Sequence, residues 1–379
     1  MMEFIDLAAQ QARIKERIDA RIQAVLAHGA YISGPEVAEF EAALAGFCGV
    51  RHVIGCANGT DALELAMAVV GVGPGDAVFC PSFTFAATAE VVPATGATPV
   101  MCDIDPVTYN LSAASLASAV AHARTLGLRP AAVIAVDLFG LPADYDAIQA
   151  ICDKHGMKLI SDSAQGFGSV YKGRQSGTLG HIATTSFFPA KPLGCYGDGG
   201  AIFTDDDRIA DLLRSLRVHG KGADKYDNIR IGRNSRLDTI QAAILMEKLA
   251  IFADELDQRQ VVAARYTAAL ANLINTPRVP EGLRSSWAQY TLRTRPGQDR
   301  AALMAALKAA GIPSVVYYPR PLHCQTAYAG FPCDPAGLPE SETAAEQVFS
   351  IPMHAYLEPA NQDRIIEVLQ QALLSETAG

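Results

Sequence analysis

Apolar residues first repeat along the chain at helical spacing. Ile14, Ile18, Ile22, Val25 and Leu26 alternate with charged positions and predict an amphipathic helix ending near His28 and Gly29. Ser33-Gly34-Pro35 opens a second helix, with proline tolerated in the first turn and Val37, Phe40, Leu44 and Phe47 on one face. From His52 the pattern changes to short apolar runs separated by helical stretches. Val53 to Cys56, Ala77 to Cys80, Thr98 to Cys102, Ala131 to Val136 and Met157 to Ile160 read as strands, with helices at Ala62 to Val70 and Tyr145 to His155. Strands apolar on both faces and alternating with helices predict a mainly parallel sheet covered by helices. Ligands of such sheets collect beyond the carboxyl ends of the strands.

After Phe203 the pattern predicts a helix from Asp206 to Arg217, a polar section from Val218 to Asn234, and a long helix from about Asp238 to Leu270. Pro277-Arg278-Val279-Pro280 interrupts this, and short strands follow at Gln289 to Arg293 and Ser314 to Tyr318, with helices at Arg300 to Ala310 and Gln362 to Leu374. The expected organisation is an α/β large domain over residues 1–250 and a smaller α+β domain over 251–379. Composition agrees with a sizeable core, since 50 % of residues are apolar. The net charge of -9 speaks against nucleic acid and anionic membranes as nonspecific partners, so an anionic substrate needs a local basic patch. The eight cysteines are scattered without a C-x-x-C pair, no apolar run approaches a membrane span, and the first residues lack the features of an export signal. A cytoplasmic protein with reduced thiols is expected.

Two residues point to chemistry. Asp162 follows the apolar run Met157 to Ile160, and Lys191 sits among Phe187, Phe188, Pro189 and Leu193. An apolar setting lowers a lysine's pKa and leaves its amine free to form a Schiff base. A carboxylate beside a pyridine nitrogen keeps that nitrogen protonated, as pyridoxal phosphate requires when its ring accepts electrons. Each residue also has a plain explanation, a solvated loop lysine and a turn-capping aspartate. Asn58-Gly59-Thr60 lies between a strand and a helix, where free amides favour a phosphate or simply an N-cap; Ser186 can add a hydroxyl. Phe85 can stack on a ring or fill the core.

Gly59-Thr60, Pro81-Ser82-Phe83-Thr84-Phe85, Asp162-Ser163-Ala164-Gln165, Ser186-Phe187-Phe188-Pro189-Ala190-Lys191 and Gly232-Arg233-Asn234-Ser235-Arg236 occur in an order and spacing that resemble the DegT/StrS-type sugar aminotransferases. The resemblance extends from the first helix to Pro319-Arg320-Pro321-Leu322-His323. It implies a fold-type-I enzyme dependent on pyridoxal 5'-phosphate, in which Lys191 binds the cofactor as a Schiff base and shuttles protons, while Asp162 pairs with the pyridine nitrogen. Gln165 then lies near the ring hydroxyl, Gly59, Thr60 and Ser186 hold the phosphate, and Phe85 stacks. Asn234 would reach the phosphate from a partner subunit, which makes a homodimer with shared active sites. The related sugar dehydratases carry histidine in place of this lysine, so Lys191 favours amine transfer. Pro192 departs from the asparagine that many members have there.

The stretch Arg214 to Arg236 holds seven basic residues against two aspartates and is the candidate binder of a nucleotide diphosphate, through Arg233 among others. Tyr317, Tyr318 and His323 resemble the family's substrate-side positions. His323-Cys324 has no further ligand at zinc spacing, so no metal is expected. The expected reaction moves an amino group from L-glutamate to a keto carbon of a nucleotide-linked sugar for surface polysaccharide or glycan biosynthesis. UDP-linked 3-keto or 4-keto hexoses are preferred, with dTDP- or GDP-linked sugars as alternatives. Two rivals are a non-catalytic pyridoxal phosphate-binding regulator on the same fold and a dinucleotide oxidoreductase. The second needs a Gly-x-Gly-x-x-Gly turn that Cys56-Ala57-Asn58-Gly59-Thr60 does not supply.

Overall fold

A computed structural model describes residues 2–224 and 226–377. Its centre is a seven-stranded sheet in the order β1 (His52–Cys56), β9 (Gly200–Thr204), β8 (Ile182–Ser186), β5 (Lys158–Asp162), β4 (Arg129–Val136), β2 (Asp76–Pro81), β3 (Thr98–Cys102). The pairs from β8 to β3 are parallel, whereas β9 runs antiparallel to both β8 and β1. The mainly parallel sheet expected from the Val- and Ile-rich runs is therefore present, with one reversed strand. Two short strands, β6 (Val170–Tyr171) and β7 (Arg174–Gln175), join β10 (Leu283–Arg284) in a small sheet, and β11 (Tyr290–Arg293) pairs with β12 (Val348–Ile351).

Helices cover both faces. On one side α3 (Gly59–Val70) and α7 (Asp207–Leu216) bury Leu63, Met67, Leu213 and Leu216 against Ile54, Ile134 and Ile202. On the other, α5 (Ala113–Thr125) and α6 (Tyr145–His155) bury Leu116, Val120 and Ile148 against Phe79, Val133 and Leu159. The amphipathic α1 (Leu7–His28) packs Ile14 and Ile18 on Ile244 and Ile251, while α2 (Pro35–Cys48) buries Phe40 and Leu44. After β2 comes α4 (Ala87–Glu90), a single turn.

The long helix α8 (Thr239–Leu270) bridges the two cores. Leu245, Phe252 and Leu256 belong to the large domain, whereas Val262, Tyr266 and Leu270 pack with Trp287, Leu303, Phe349 and Ile365. A boundary at residue 250 thus falls within one continuous helix. The small domain is completed by α9 (Arg300–Ala309), α10 (Pro339–Gln347) and α11 (Pro359–Thr377). One expected strand does not form. Ser314 to Tyr318 makes a single bridge, Val315 to Ser350, and then leaves the sheet. The reason is tertiary: the segment carries Tyr318 away to pack on Phe83 and Phe85 of the large domain.

Candidate active site

The site assembles at the carboxyl ends of β2, β5 and β8. Asp162 is the last residue of β5, in register with Val136 on β4 and Thr184 on β8. Its carboxylate is buried, accepting from the Thr88 hydroxyl at 3.2 Å and the Ala164 amide at 3.1 Å. Burial pushes the Asp162 carboxyl above the ordinary carboxylate range; the Ala164 amide, Lys191 and Thr88 pull it partly back. Lys191 is half-buried. Burial lowers its ammonium from the usual lysine value, and the Asp162 charge opposes that shift. The two groups are close enough for each to feel the other.

The lysine's placement follows from the loop that carries it. Phe187 at the loop's start is fully buried, edge-on to Phe40 at 5.4 Å and to Phe167 at 6.4 Å. Burying a phenylalanine of this kind contributes about 1.5–3 kcal/mol, enough to anchor a short loop. The Phe187 amide donates to the Gly199 carbonyl at 2.7 Å, and the Cys195 amide donates to the Phe187 carbonyl at 2.7 Å, which closes the loop on itself. Gly194 is required at the tightest point, because a Cβ there would overlap the carbonyl oxygens of Phe188 and Pro189. From α8, the buried Lys248 ammonium donates to the Gly194 carbonyl at 2.6 Å. Pro192 is buried and lines, with Lys191, a small cavity shared with Ile5, His354 and Tyr356.

Gly59 and Thr60 form the first turn of α3, where amides have no intrahelical acceptor, and the Asn58 side chain caps the Asp61 amide at 2.8 Å. A Cβ on Gly59 would stand 2.7 Å from the Ser186 Cβ, so glycine lets the helix N-terminus meet the end of β8. The exposed amides, the helix dipole and the Ser186 hydroxyl converge as an anion cradle. Gln165 is buried. Its Oε1 accepts from the Phe139 amide at 2.7 Å and its Nε2 donates to the Tyr318 hydroxyl at 3.1 Å. Phe85 is 55 % exposed in spite of its apolar ring, with its centroid 6.5 Å from that of Tyr318. A ring left open beside a buried carboxylate and a half-buried lysine fits a flat aromatic cofactor.

Tyr318, expected on the substrate side, contacts Gln165, Phe83 and Phe85. Tyr317 is half-buried against Phe4. The His323 ring lies between Ser82, with Nδ1 2.7 Å from the serine oxygen, and Glu342, with Nε2 3.1 Å from Oε1. Arg233 is ion-paired with Glu64 on α3, and Asn234 is exposed, accepting from Arg236 at 2.6 Å. The basic stretch is less positive than its sequence implied, because its arginines meet acids from elsewhere. Arg217 reaches Glu41 at 2.5 Å and Arg214 reaches Asp211 at 3.1 Å, while Lys225 lies outside the described residues. Thr88 went unnoticed in the sequence; its one signal was its place one turn after Phe85 in Phe85-Ala86-Ala87-Thr88.

A buried carboxylate at a strand end, a desolvated lysine in a braced loop and an anion cradle at a helix N-terminus define a pyridoxal phosphate-dependent transferase. The chain belongs to the DegT/DnrJ/EryC1/StrS aminotransferase family, whose model matches residues 12–370. It is 52 % identical over 362 residues to the UDP-2-acetamido-2-deoxy-3-oxo-D-glucuronate aminotransferase of Pseudomonas aeruginosa, covering 95 % of this chain and 97 % of that one. Its structure resembles the crystal structure of a DegT DnrJ EryC1 StrS aminotransferase from Brucella abortus, with a TM-score of 0.96, 54 % identity and coverage of 98 % and 99 % of the two chains. It also resembles NtdA from Bacillus subtilis with bound cofactor PMP, at a TM-score of 0.85 and 30 % identity over 95 % of this chain and 82 % of that one. The protein is a pyridoxal phosphate-dependent sugar aminotransferase. No helix among the described residues is long and apolar enough to cross a membrane.

Proposed function

We propose that the enzyme transfers the amino group of L-glutamate to the keto carbon of a UDP-linked hexose, with the 3-keto position first and the 4-keto position second, in the biosynthesis of surface polysaccharide or glycan. The placement of Lys191 beside Asp162 carries the chemistry. Bound pyridoxal phosphate supplies an aldehyde that takes up the amine and a ring that accepts electrons from the reacting carbon. Lys191 removes the proton from the glutamate Cα in the first half-reaction and delivers one to the sugar carbon in the second. Its lowered affinity for the proton suits a group that must act as both base and acid. Asp162 holds a proton on the pyridine nitrogen, with Thr88 and the Ala164 amide fixing its two oxygens. Gly59, Thr60 and Ser186 would hold the phosphate, Gln165 would lie near the ring hydroxyl, and Phe85 would stack on the ring. Tyr317 and Tyr318 face the sugar, whereas the His323 ring is taken up by Ser82 and Glu342.

The sugar assignment rests on the Pseudomonas relative, which is named for a UDP-linked 3-oxo sugar acid. The enzyme works in the cytoplasm as a homodimer, with Asn234 and Arg233 of one subunit serving the site of the other. Support comes from the arm around them, where Tyr226, Ile229 and Ile231 are 85 %, 54 % and 97 % exposed. Supplying glutamate with UDP-, dTDP- and GDP-linked keto sugars and following 2-oxoglutarate release tests the substrate. The strongest turnover is expected with a UDP-linked 3-keto sugar. Equal or better turnover of the dTDP or GDP compounds would remove the UDP assignment, and no glutamate half-reaction at all would favour a regulatory protein.

A further inference from the structure

His323 and Cys324 close a short helical turn, Leu322–Cys324, that is pinned to the end of β2: the Leu322 amide donates to the Ser82 carbonyl at 2.8 Å. Glu342 stands on α10, whose first turn is pinned to the end of the neighbouring β3. There the amides of Glu340 and Ser341 donate to the Asp103 carboxylate at 2.9 and 2.8 Å. Two adjacent strands thus present an imidazole, a thiol and a carboxylate to one point on the surface. The donor atoms of all three residues lie within 4.8 Å of one another. The sequence had offered only the adjacent His323-Cys324 pair, because Glu342 comes from a separate helix.

A plain histidine–glutamate pair does not account for this arrangement. A ring nitrogen has one in-plane position for a partner. Yet Glu342 Oε1 approaches His323 Nε2 at 3.1 Å and Cys324 Sγ approaches the same nitrogen at 3.2 Å. Around a tetrahedral zinc ion, with bonds of about 2.0–2.3 Å, donor atoms sit about 3.3–3.7 Å apart. Small side-chain shifts would open these separations to that range. The far ring nitrogen, Nδ1, is held 2.7 Å from the buried Ser82 hydroxyl, the type of outer contact that fixes a metal-binding imidazole.

We propose that His323 Nε2, Cys324 Sγ and a Glu342 carboxylate oxygen bind a zinc-class divalent cation, with solvent completing the tetrahedron. The mixed nitrogen, sulfur and oxygen donors select such an ion over magnesium or calcium, which take oxygen. Binding releases the thiol proton to solvent as the sulfur–metal bond forms, with no change of oxidation state. The ion ties the Leu322–Cys324 turn to α10.

Cobalt(II) titrated into the untagged holoenzyme tests the site without reference to turnover, so its outcome is independent of the proposed substrate. The expected result is one tightly bound equivalent, with tetrahedral d–d bands to the red of the cofactor's absorbance and a sulfur-to-cobalt band in the ultraviolet, both displaced by zinc. Cys324→Ser should abolish the charge-transfer band, and Glu342→Gln should weaken binding. Ser82→Ala, which removes the outer contact to Nδ1 together with the acceptor of the His323 amide, should weaken it about 10–100-fold. Because Glu342 is exposed, its substitution tests the site even if another variant fails to fold. Absence of stoichiometric binding, or a cobalt spectrum that Cys324→Ser leaves unchanged, overturns the proposal.

Discussion

At the scale of single residues, the proposed catalysis depends on two groups whose surroundings press each away from its charged form. Asp162 is raised and Lys191 lowered mainly by burial, and each partly stabilises the other's charge. The pair is therefore poised for proton movement before any ligand arrives. Replacing Lys191 by alanine removes the only proton carrier assigned to the reacting carbon, so turnover should fall by about 10²–10⁴-fold or more. Stopped-flow measurement of the glutamate half-reaction checks this, and near-normal rates would displace Lys191 from its role. Asp162→Asn should keep the fold, since asparagine retains the oxygen that accepts from Ala164, but should slow both half-reactions. Asp162 and Lys191 were legible in the sequence because each sits beside a recognisable apolar run. Thr88 was not, nor was the contact between Tyr318 and Gln165, which links positions far apart in the chain and exists only when the small domain folds back over Phe85.

At the scale of elements, β1 to β5 were legible because strands buried on both faces leave unbroken apolar runs, and their ends differ by only a residue or two from those expected, whereas β8 and β9 were not read as strands. Ser314 to Tyr318 has the same composition but makes one bridge, because packing against the large domain outweighs local β preference. The support of the lysine loop was equally invisible, since nothing near Gly194 announces that a lysine on α8 holds its carbonyl. Lys248 lies over the Tyr196 ring at 4.3 Å, and burial lowers its pKa to about 8 from 10.5, with Glu255 and Cys195 opposing the shift. A depressed lysine gives a definite sign. Between about pH 8 and 10.5 the unfolded chain keeps a proton that the folded chain has released, so stability rises with pH; this benefit is complete above 10.5 and is lost as pH falls through about 8. Lys248→Met should remove that component. Thermal midpoints at matched scan rates should rise less steeply across this window in the variant than in the native enzyme, and parallel slopes would show that Lys248 does not titrate there.

At the scale of the whole molecule, the arm after α7 is the feature that a single chain does not explain. Val218 pairs with Asn234 and Lys221 with Asn228 in a projecting hairpin that carries Ile229 and Ile231 into solvent. Exposed apolar side chains of this kind are the surface that the proposed dimer would cover. In the proposed dimer, two-fold symmetry places each arm at the other subunit's site. Mixing two inactive variants separates this arrangement from a site built within one chain. If Asn234 acts across the interface, a Lys191→Ala subunit paired with an Asn234→Ala subunit regenerates one intact site, with Lys191 from the second chain and Asn234 from the first. Random reassembly of equal amounts makes about half of the dimers mixed, so roughly a quarter of native activity should return. If both residues serve the same chain's site, every site in the mixture lacks one of them, and activity stays at the level of the separate variants.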